Sequence, residues 1–592
     1  MSESAVKQSL PDRPAALAPA PRKAVAIGLR SADVVLAIVA GVMVIFVHDV
    51  PYLLHEPYWL DEAWVADSIR APLSEVPRLA SSTPLGWTLL LRLVPGPGLQ
   101  RQRLVPLAFA GLAVATGYLL GRELRLTRFL AGLLTAAAVL LSPAMLARDD
   151  LKQYTAEAFA ALAIWLLVAR LENTWSRRRL AALALVTSLG TLLAETAIFT
   201  GGAAFACLFL VALCRGQWRR LAELAVAGAG ALVVFGAIFA VVLKPRIDPQ
   251  LSSYWSPLYS PASVTGAARF FWVQLSQRVG PYIGFPLGTT RAFTQPATVA
   301  ELAIPLALTV AGIAALAAMR RPALAAMLPV TLLVAMIASA ARQYPFGDER
   351  TSTFWEVMFP VLMAIAVAVA IHGAGRALGR LDVSVRRWAR PAAAVAIAAA
   401  AVAGYVLVVW PDINSHPIPD DDSRSQVQFA EAHYQPGDVF LVDYGASYGF
   451  DYYYKTPTTY FPAVGGIAAG FFPQYLDPHI IIMTSRSAPD FSAAMTRAIG
   501  VLSSEPASEH GRVWVIREHE LPVEARSWKQ VFTQLDAGGG HVTIDKLSKF
   551  GYGPAFMPLA LYTPPSHRGQ APGAQSAKAS GAGQAHTRLR SP

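Results

Sequence analysis

Tyr58-Trp59-Leu60-Asp61-Glu62-Ala63 sets two carboxylates side by side just beyond the first long apolar stretch. Two acids at an apolar surface raise each other's proton affinity, which can poise one of them as a general base. The same residues also suit a helix start, with Asp61 capping a stretch from Ala63 to Ile69 and Glu62 favourable to its dipole. The two roles are compatible.

A second cluster, Arg148-Asp149-Asp150-Leu151-Lys152-Gln153-Tyr154, precedes another apolar run. Helical spacing would put Arg148 and Lys152 on one face and Asp150 and Tyr154 on another. A pair of cations there could hold a lipid-linked phosphate; the competing account is a salt-bridge network that neutralises itself. The third cluster is Arg342-Gln343-Tyr344-Pro345-Phe346-Gly347-Asp348-Glu349-Arg350. An arginine at the start of an apolar helix opposes the dipole, so Arg350 calls for an anionic partner: Glu349, Asp348 or a phosphate. Interfacial snorkelling is the alternative.

The elements that position these groups must be membrane helices. Of 592 residues, 54% are hydrophobic and only 15% charged, and mean hydropathy is +0.41, too apolar for an ordinary soluble globule. Apolar runs recur at about 31 to 48, 104 to 120, 129 to 146, 155 to 170, 180 to 198, 199 to 214, 221 to 243, 301 to 318, 323 to 341, 354 to 371 and 392 to 410. That is eleven spans, the shorter of them tilted or with polar ends buried in the bundle.

Arginine sets the orientation, because short cytoplasmic loops retain positive charge. Arg122, Arg125 and Arg128 form one basic loop and Arg177, Arg178 and Arg179 the next. Arg215, Arg219 and Arg220 follow, then Arg320 and Arg321, then five arginines from Arg376 to Arg390. With Arg22, Lys23 and Arg30 before the first span, the alternation places the N-terminus in the cytoplasm and everything after Trp410 outside. The net charge of +11 is explained by these loops better than by nucleic acid. Leu180 to Cys214 must be a hairpin, since basic loops flank it, with its turn near Glu195 to Gly202. The piece from Pro84 to Val94 is too short to span and reads as interfacial or packed on the bundle. The first span lacks a small-residue cleavage site and reads as an uncleaved anchor.

Residues 1–30 are expected to form a disordered cytoplasmic N-terminus and 31–410 the membrane domain, with 411–565 an external α/β domain and 566–592 a disordered tail. In the external domain a helix-like stretch, Arg424 to His433, precedes short strands at Val439 to Val442, Ile480 to Met483, Val513 to Ile516 and Val542 to Ile544. It carries no GxGxxG or P-loop. Cys207 and Cys214 share one apolar run, offer no disulfide framework and read as core residues.

An anchor span, an acidic pair, Thr83-Pro84-Leu85, an Arg/Lys/Tyr cluster, a Tyr-Pro-Phe-Gly loop ending in arginine and a C-terminal α/β domain follow in that order. This order resembles the GT-C-fold glycosyltransferases, specifically the protein O-mannosyltransferase and aminoarabinose-transferase-like superfamily, over about residues 30 to 410. The resemblance implies an inverting transfer of a sugar from a polyprenyl-phosphate donor to an acceptor hydroxyl at the external face of the plasma membrane. By that likeness Asp61 is the base, Glu62 its acidic partner, and Asp149 or Asp150 a second acidic group. Lys152, Tyr154, Tyr344 and Arg350 would contact the donor phosphate, with Arg148 the further cation of that cluster. The acceptor would be a glycan, lipid or protein. Whether a divalent cation takes part is left open; Asp61 with Glu195 would be the carboxylates to hold one. The rival class is a transporter or flippase for lipid-linked sugars, against which stand the absence of a sequence repeat and the clustering of ionisable residues outside the spans.

Overall fold

Within a bilayer the backbone must satisfy its own hydrogen bonds, so runs of Ala, Leu and Val become helices. The computed structural model describes residues 21–246, 255–276, 299–377, 422–504, 511–545 and 559–564, less positions 49, 81, 95–99, 127–128, 147–149, 347, 349, 455–458, 463–470 and 521, together with isolated positions between 392 and 404. The principal helices of the membrane part are α1 (Pro21–Val42), α2 (Leu60–Arg70), α3 (Leu85–Arg92), α4 (Leu104–Glu123), α5 (Leu130–Leu140) and α6 (Tyr154–Asn173). They continue with α7 (Arg177–Leu189), α8 (Ala197–Cys214), α9 (Trp218–Ile238), α10 (Val299–Ala318), α11 (Pro322–Ala340) and α12 (Met358–Ala377).

Among the described residues, six helical stretches are long and apolar enough to cross a membrane: Arg101–Glu123, Tyr154–Asn173, Ala197–Cys214, Trp218–Leu243, Pro322–Ala340 and Thr353–Ala374. Shorter apolar helices cover Ser31–Val47, Leu130–Leu140 and Leu302–Ala318. The chain is thus a polytopic α-helical protein with a C-terminal α/β domain. The span expected at 392 to 410 lies, apart from isolated positions, outside the described residues. In the bundle, α4 packs against α6 and α5, α8 against α11, and α10 against α12.

The α7–α8 hairpin turns earlier than its glycines suggest. The turn occupies 190–196, and Gly201 and Gly202 lie inside α8. Gly201 is needed for close helix packing: a Cβ there would sit 2.2 Å from the Thr187 side chain on α7. The Pro84–Val94 piece is the short helix α3, packed inward through buried Trp87 and Leu91.

The C-terminal domain is built around a mixed sheet of β1 (Val439–Val442), β4 (Ile480–Ile482), β5 (Val513–Ile516), β6 (His541–Asp545) and β7 (Leu559–Thr563), in the order β4-β1-β5-β7-β6. β1 runs parallel to β4 and β5, while β7 is antiparallel to β5 and β6. All four residues of β1 and of β5 are buried, as expected for central strands covered on both faces. A ribbon of β2 (Thr459–Pro462) and β3 (Phe471–Gln474) stands apart. Helices α13 (Ser423–His433), α14 (Ser447–Tyr453), α15 (Ala488–Ser504) and α16 (Pro522–Ala537) complete the domain. It is seated on the membrane part chiefly by α14, which packs along α2.

Candidate functional site

The short helix α2 carries the acidic pair. Its N-cap is Trp59, with extended backbone and no side-chain cap, so Asp61 does not act as the cap expected from sequence. Both acids sit inside the first turn, where the dipole favours negative charge. Ala71-Pro72 ends the helix, because a proline at that point cannot continue it. With the cap formed by backbone alone, the Asp61 carboxylate points elsewhere.

It points at two cations. Arg350 donates from Nη1 to Asp61 Oδ2 at 2.9 Å, and Lys152 Nζ stands 3.8 Å from the same oxygen. Burial raises the proton affinity of Asp61, but the charges of Lys152, Arg350 and His519 outweigh it and hold the carboxyl below its ordinary pKa. Burial acts on Lys152 in the other sense: together with the charge of Arg350, it lowers the ammonium's pKa against the pull of Asp61 and Asp150. The ensemble is an ionised carboxylate between two positive groups, arriving from three positions far apart in sequence.

Each cation is delivered by a turn. Residues 150–153 form bends and a turn before α6 begins at Tyr154, so Asp150 and Lys152 do not lie on the helix expected to carry them. Asp150 instead accepts the Lys152 backbone N–H at 3.1 Å, an Asx-type turn that aims the lysine out of the helix line. Lys152 Nζ also donates to Ser82 O at 3.4 Å and lies 5.5 Å over the Trp64 ring. On the other side Asp348 accepts the backbone N–H groups of Arg350 at 2.8 Å and Thr351 at 3.2 Å. Arg350 is thereby fixed in a turn ahead of Thr353, with its guanidinium 5.9 Å over Trp59.

Glu62 has a different task. It is fully buried, accepts from Arg103 Nε at 2.8 Å and also pairs with Arg103 Nη2. Its Oε1 further accepts the Leu151 N–H at 3.1 Å, and Trp87 Nε1 donates to Leu151 O at 2.7 Å. Arg103 goes on to bond the carbonyls of Leu53, Glu56 and Pro57. This clamp ties α2 to the entry of α4 and to the turn bearing Lys152, setting the distance between Asp61 and its cation.

The C-terminal domain packs against this corner. Tyr448 stacks on Trp64 at 5.3 Å with ring planes 4° apart, and the Tyr58 N–H donates to Tyr453 Oη at 2.7 Å. Arg70 donates to Tyr452 O at 2.7 Å, and the His519 ring lies 6.2 Å from Trp59. Sequence reasoning missed Arg103, Tyr448 and His519. Only Arg103 left a signal: an arginine on the acidic side of a span runs against the charge pattern of the basic loops.

Other expected residues fall elsewhere. Arg148 and Asp149 lie outside the described residues, as does Glu349. Tyr154 is buried at the start of α6, amid the charges of Arg350, Asp150, Asp61 and Asp348. Tyr344 is buried too, but its hydroxyl donates to Thr351 O at 3.1 Å and meets Ser352 Oγ at 3.3 Å, so it braces the Arg350 loop from within. Glu195 is exposed in the α7–α8 turn, near Glu157. Among the described residues no group of three His, Cys, Asp or Glu side chains is placed to hold a metal ion.

One more acid on α2 bears on stability. Asp67 is fully buried, neither carboxylate oxygen has a hydrogen-bond partner among the described residues, and burial with the nearby charge of Asp451 pushes its pKa well up. Such a group binds its proton more tightly when folded, so stability falls as pH rises from the ordinary carboxylate value of about 3.9 through the folded value. Asp67→Asn is therefore expected to stabilise the protein near neutral pH, by removing the group whose proton is bound more tightly in the fold. The measurement is thermal unfolding in detergent between pH 5 and 9, where the variant's curve should be flatter than the wild type's.

No family model matches the sequence, and no curated protein matches it. Among solved structures the chain is similar to ArnT from Cupriavidus metallidurans bound to undecaprenyl phosphate, at 14% identity, over 90% of this chain and 98% of that one, with a TM-score of 0.47.

Proposed function

We propose that the protein is a membrane glycosyltransferase that moves a sugar from a polyprenyl-phosphate donor to an acceptor hydroxyl, with inversion, at the membrane face on which the C-terminal domain sits. The carrying observation is the Asp61 carboxylate held between Lys152 and Arg350. The charges match the reaction. The acceptor oxygen attacks the anomeric carbon, its proton passes to Asp61, and the bond from that carbon to the phosphate oxygen breaks. The electron pair leaves with polyprenyl phosphate, whose growing negative charge is met by the two cations.

In the resting site the cations are occupied by Asp61, which makes it a weak base. A donor phosphate shares them, and the carboxylate gains proton affinity as its partners turn toward the phosphate. Donor binding thus prepares the base. Glu62 serves this reading as the buried clamp that positions Asp61 and Lys152, and Tyr154 lines the cationic side. The site faces the external side of the plasma membrane in this reading, as the pattern of basic loops implies. A glycan, lipid or protein hydroxyl would serve as acceptor.

Lys152→Ala and Arg350→Ala are each expected to raise the donor KM roughly 10- to 150-fold, the worth of one charged hydrogen bond. The test is transfer of radiolabelled sugar from polyprenyl-phosphate donors by the purified, reconstituted protein, with glycan and lipid profiles of cells lacking it to identify the product. Movement of intact donor across vesicles with no transfer to any acceptor would replace the enzyme by a transporter.

A further inference from the structure

Of the six long apolar helices, α9 is the least embedded. Among the described residues it packs on α7 and α8, and only Leu221, Leu224 and Ala231 of its 21 residues are buried. Between α9 and α7 runs a groove of about 680 Å³, a volume usual for ligand sites. Its walls are small and aliphatic: Ala181, Ala184 and Leu185 on one side, Val226, Ala227 and Gly230 on the other. A Cβ at Gly230 would meet no atom within 4 Å, so the groove is open there. From Ala222 to Val234 it follows α9 for about 18 Å, slightly more than half of a hydrocarbon core of about 30 Å. That is the depth of one leaflet.

One end of the groove is charged. α7 opens with Arg177, Arg178 and Arg179 and α9 with Trp218, Arg219 and Arg220, with no acidic residue in either first turn. Neither N-cap side chain, Ser176 or Gln217, caps its helix. Two positive dipole ends thus meet five arginines, an arrangement that each helix disfavours and an anion relieves. Glu223 at this mouth accepts from Trp175 Nε1 at 2.7 Å and Arg177 Nε at 2.9 Å, with Arg219 Nε at 3.6 Å. One carboxylate does not balance five arginines, and the Arg177 and Arg219 side chains stay 73% and 83% exposed. Trp218 is exposed beside them, as an indole at headgroup level would be.

We propose that this groove holds one anionic diacyl phospholipid from the leaflet opposite the Asp61 corner, its phosphate at Arg177 and Arg219 and one acyl chain between α7 and α9. Both arginines meet Glu223 through Nε, which leaves their Nη groups to fork onto a phosphate. The depth of the groove selects the lipid: a polyprenyl chain is longer than one leaflet and would overrun it. The helix α6 sets the separation from the donor cations. It starts at Tyr154, beside Lys152, and its 20 residues run about 30 Å to Asn173, near the Trp175 that meets Glu223. This lipid site is therefore independent of the transfer reaction; its occupant fastens the exposed α9 to α7.

The test is a lipid titration of the delipidated, full-length protein in neutral detergent, read by native mass spectrometry. The probes are phosphatidylglycerol, phosphatidylcholine with the same chains, and undecaprenyl phosphate. Phosphatidylglycerol should bind about tenfold tighter than phosphatidylcholine, a preference that shrinks as salt rises. Arg177→Gln combined with Arg219→Gln should weaken phosphatidylglycerol about fivefold per arginine and leave phosphatidylcholine unchanged. Gly230→Phe fills the groove and keeps every charge; it should weaken phosphatidylglycerol about tenfold through lost chain burial. Equal binding of the two phospholipids by the wild type, or unchanged phosphatidylglycerol affinity in Gly230→Phe, overturns the site. So does tighter retention of undecaprenyl phosphate than of phosphatidylglycerol. A wild-type dimer that Gly230→Phe converts to a monomer would give the groove to a second copy of the chain and overturn it too.

Discussion

Asp61→Asn is expected to lower kcat for sugar transfer by a factor of about 10² to 10⁴, the usual contribution of a positioned general base. Asparagine keeps the size of the side chain and an oxygen that can still accept from Arg350, so the site should keep its shape. What is lost is the negative charge, and with it the proton acceptor. Two secondary effects follow. Donor affinity should hold or improve, because Arg350 and Lys152 no longer divide themselves between a carboxylate and the phosphate. Expression and melting temperature should change little, since the amide oxygen still accepts from Arg350 and Lys152 keeps its bond to Ser82 O. Near-normal turnover in the reconstituted variant would remove Asp61 as the base.

Arg103→Ala should act the other way, on the fold first. Arg103 is buried with Glu62, and it also bonds three backbone carbonyls between Leu53 and Pro57. Removing it strands the Glu62 carboxylate and those carbonyls in an apolar surround, which costs about 3–5 kcal/mol for a broken buried pair. A large fall in melting temperature, or failure to accumulate in the membrane, is the expected reading. Glu62→Gln should be milder, because the amide oxygen still accepts from Arg103 and from the Leu151 N–H. An Arg103→Ala protein that melts like the wild type would show the clamp to be dispensable.

Much of this arrangement was legible before any coordinates. Hydropathy located the helical runs, and residue type with position singled out Asp61, Lys152 and Arg350, which the fold brings to one corner. Four strands of the C-terminal sheet were readable from their β-branched runs. The ribbon of β2 and β3 was not, because Pro462 and Pro473 argue against strands. Both fall in a two-stranded pairing, where one side of each strand needs no partner. Glu62 shows a second limit. Adjacent carboxylates look alike in a sequence, yet one helical step separates a residue facing two cations from one sealed against Arg103. The α7–α8 turn shows a third: glycine marks a bend and a close helix crossing equally well, and only packing against Thr187 separates them.

Trp64 lies between the Lys152 ammonium and the flat face of Tyr448, so its indole is a party wall. Grafting the C-terminal portion of a distant homologue onto this bundle would leave the lysine beside an unsupported ring. Successful chimaeras should then be those that carry their own α2 along with their own α14, inherited as one exchangeable cassette.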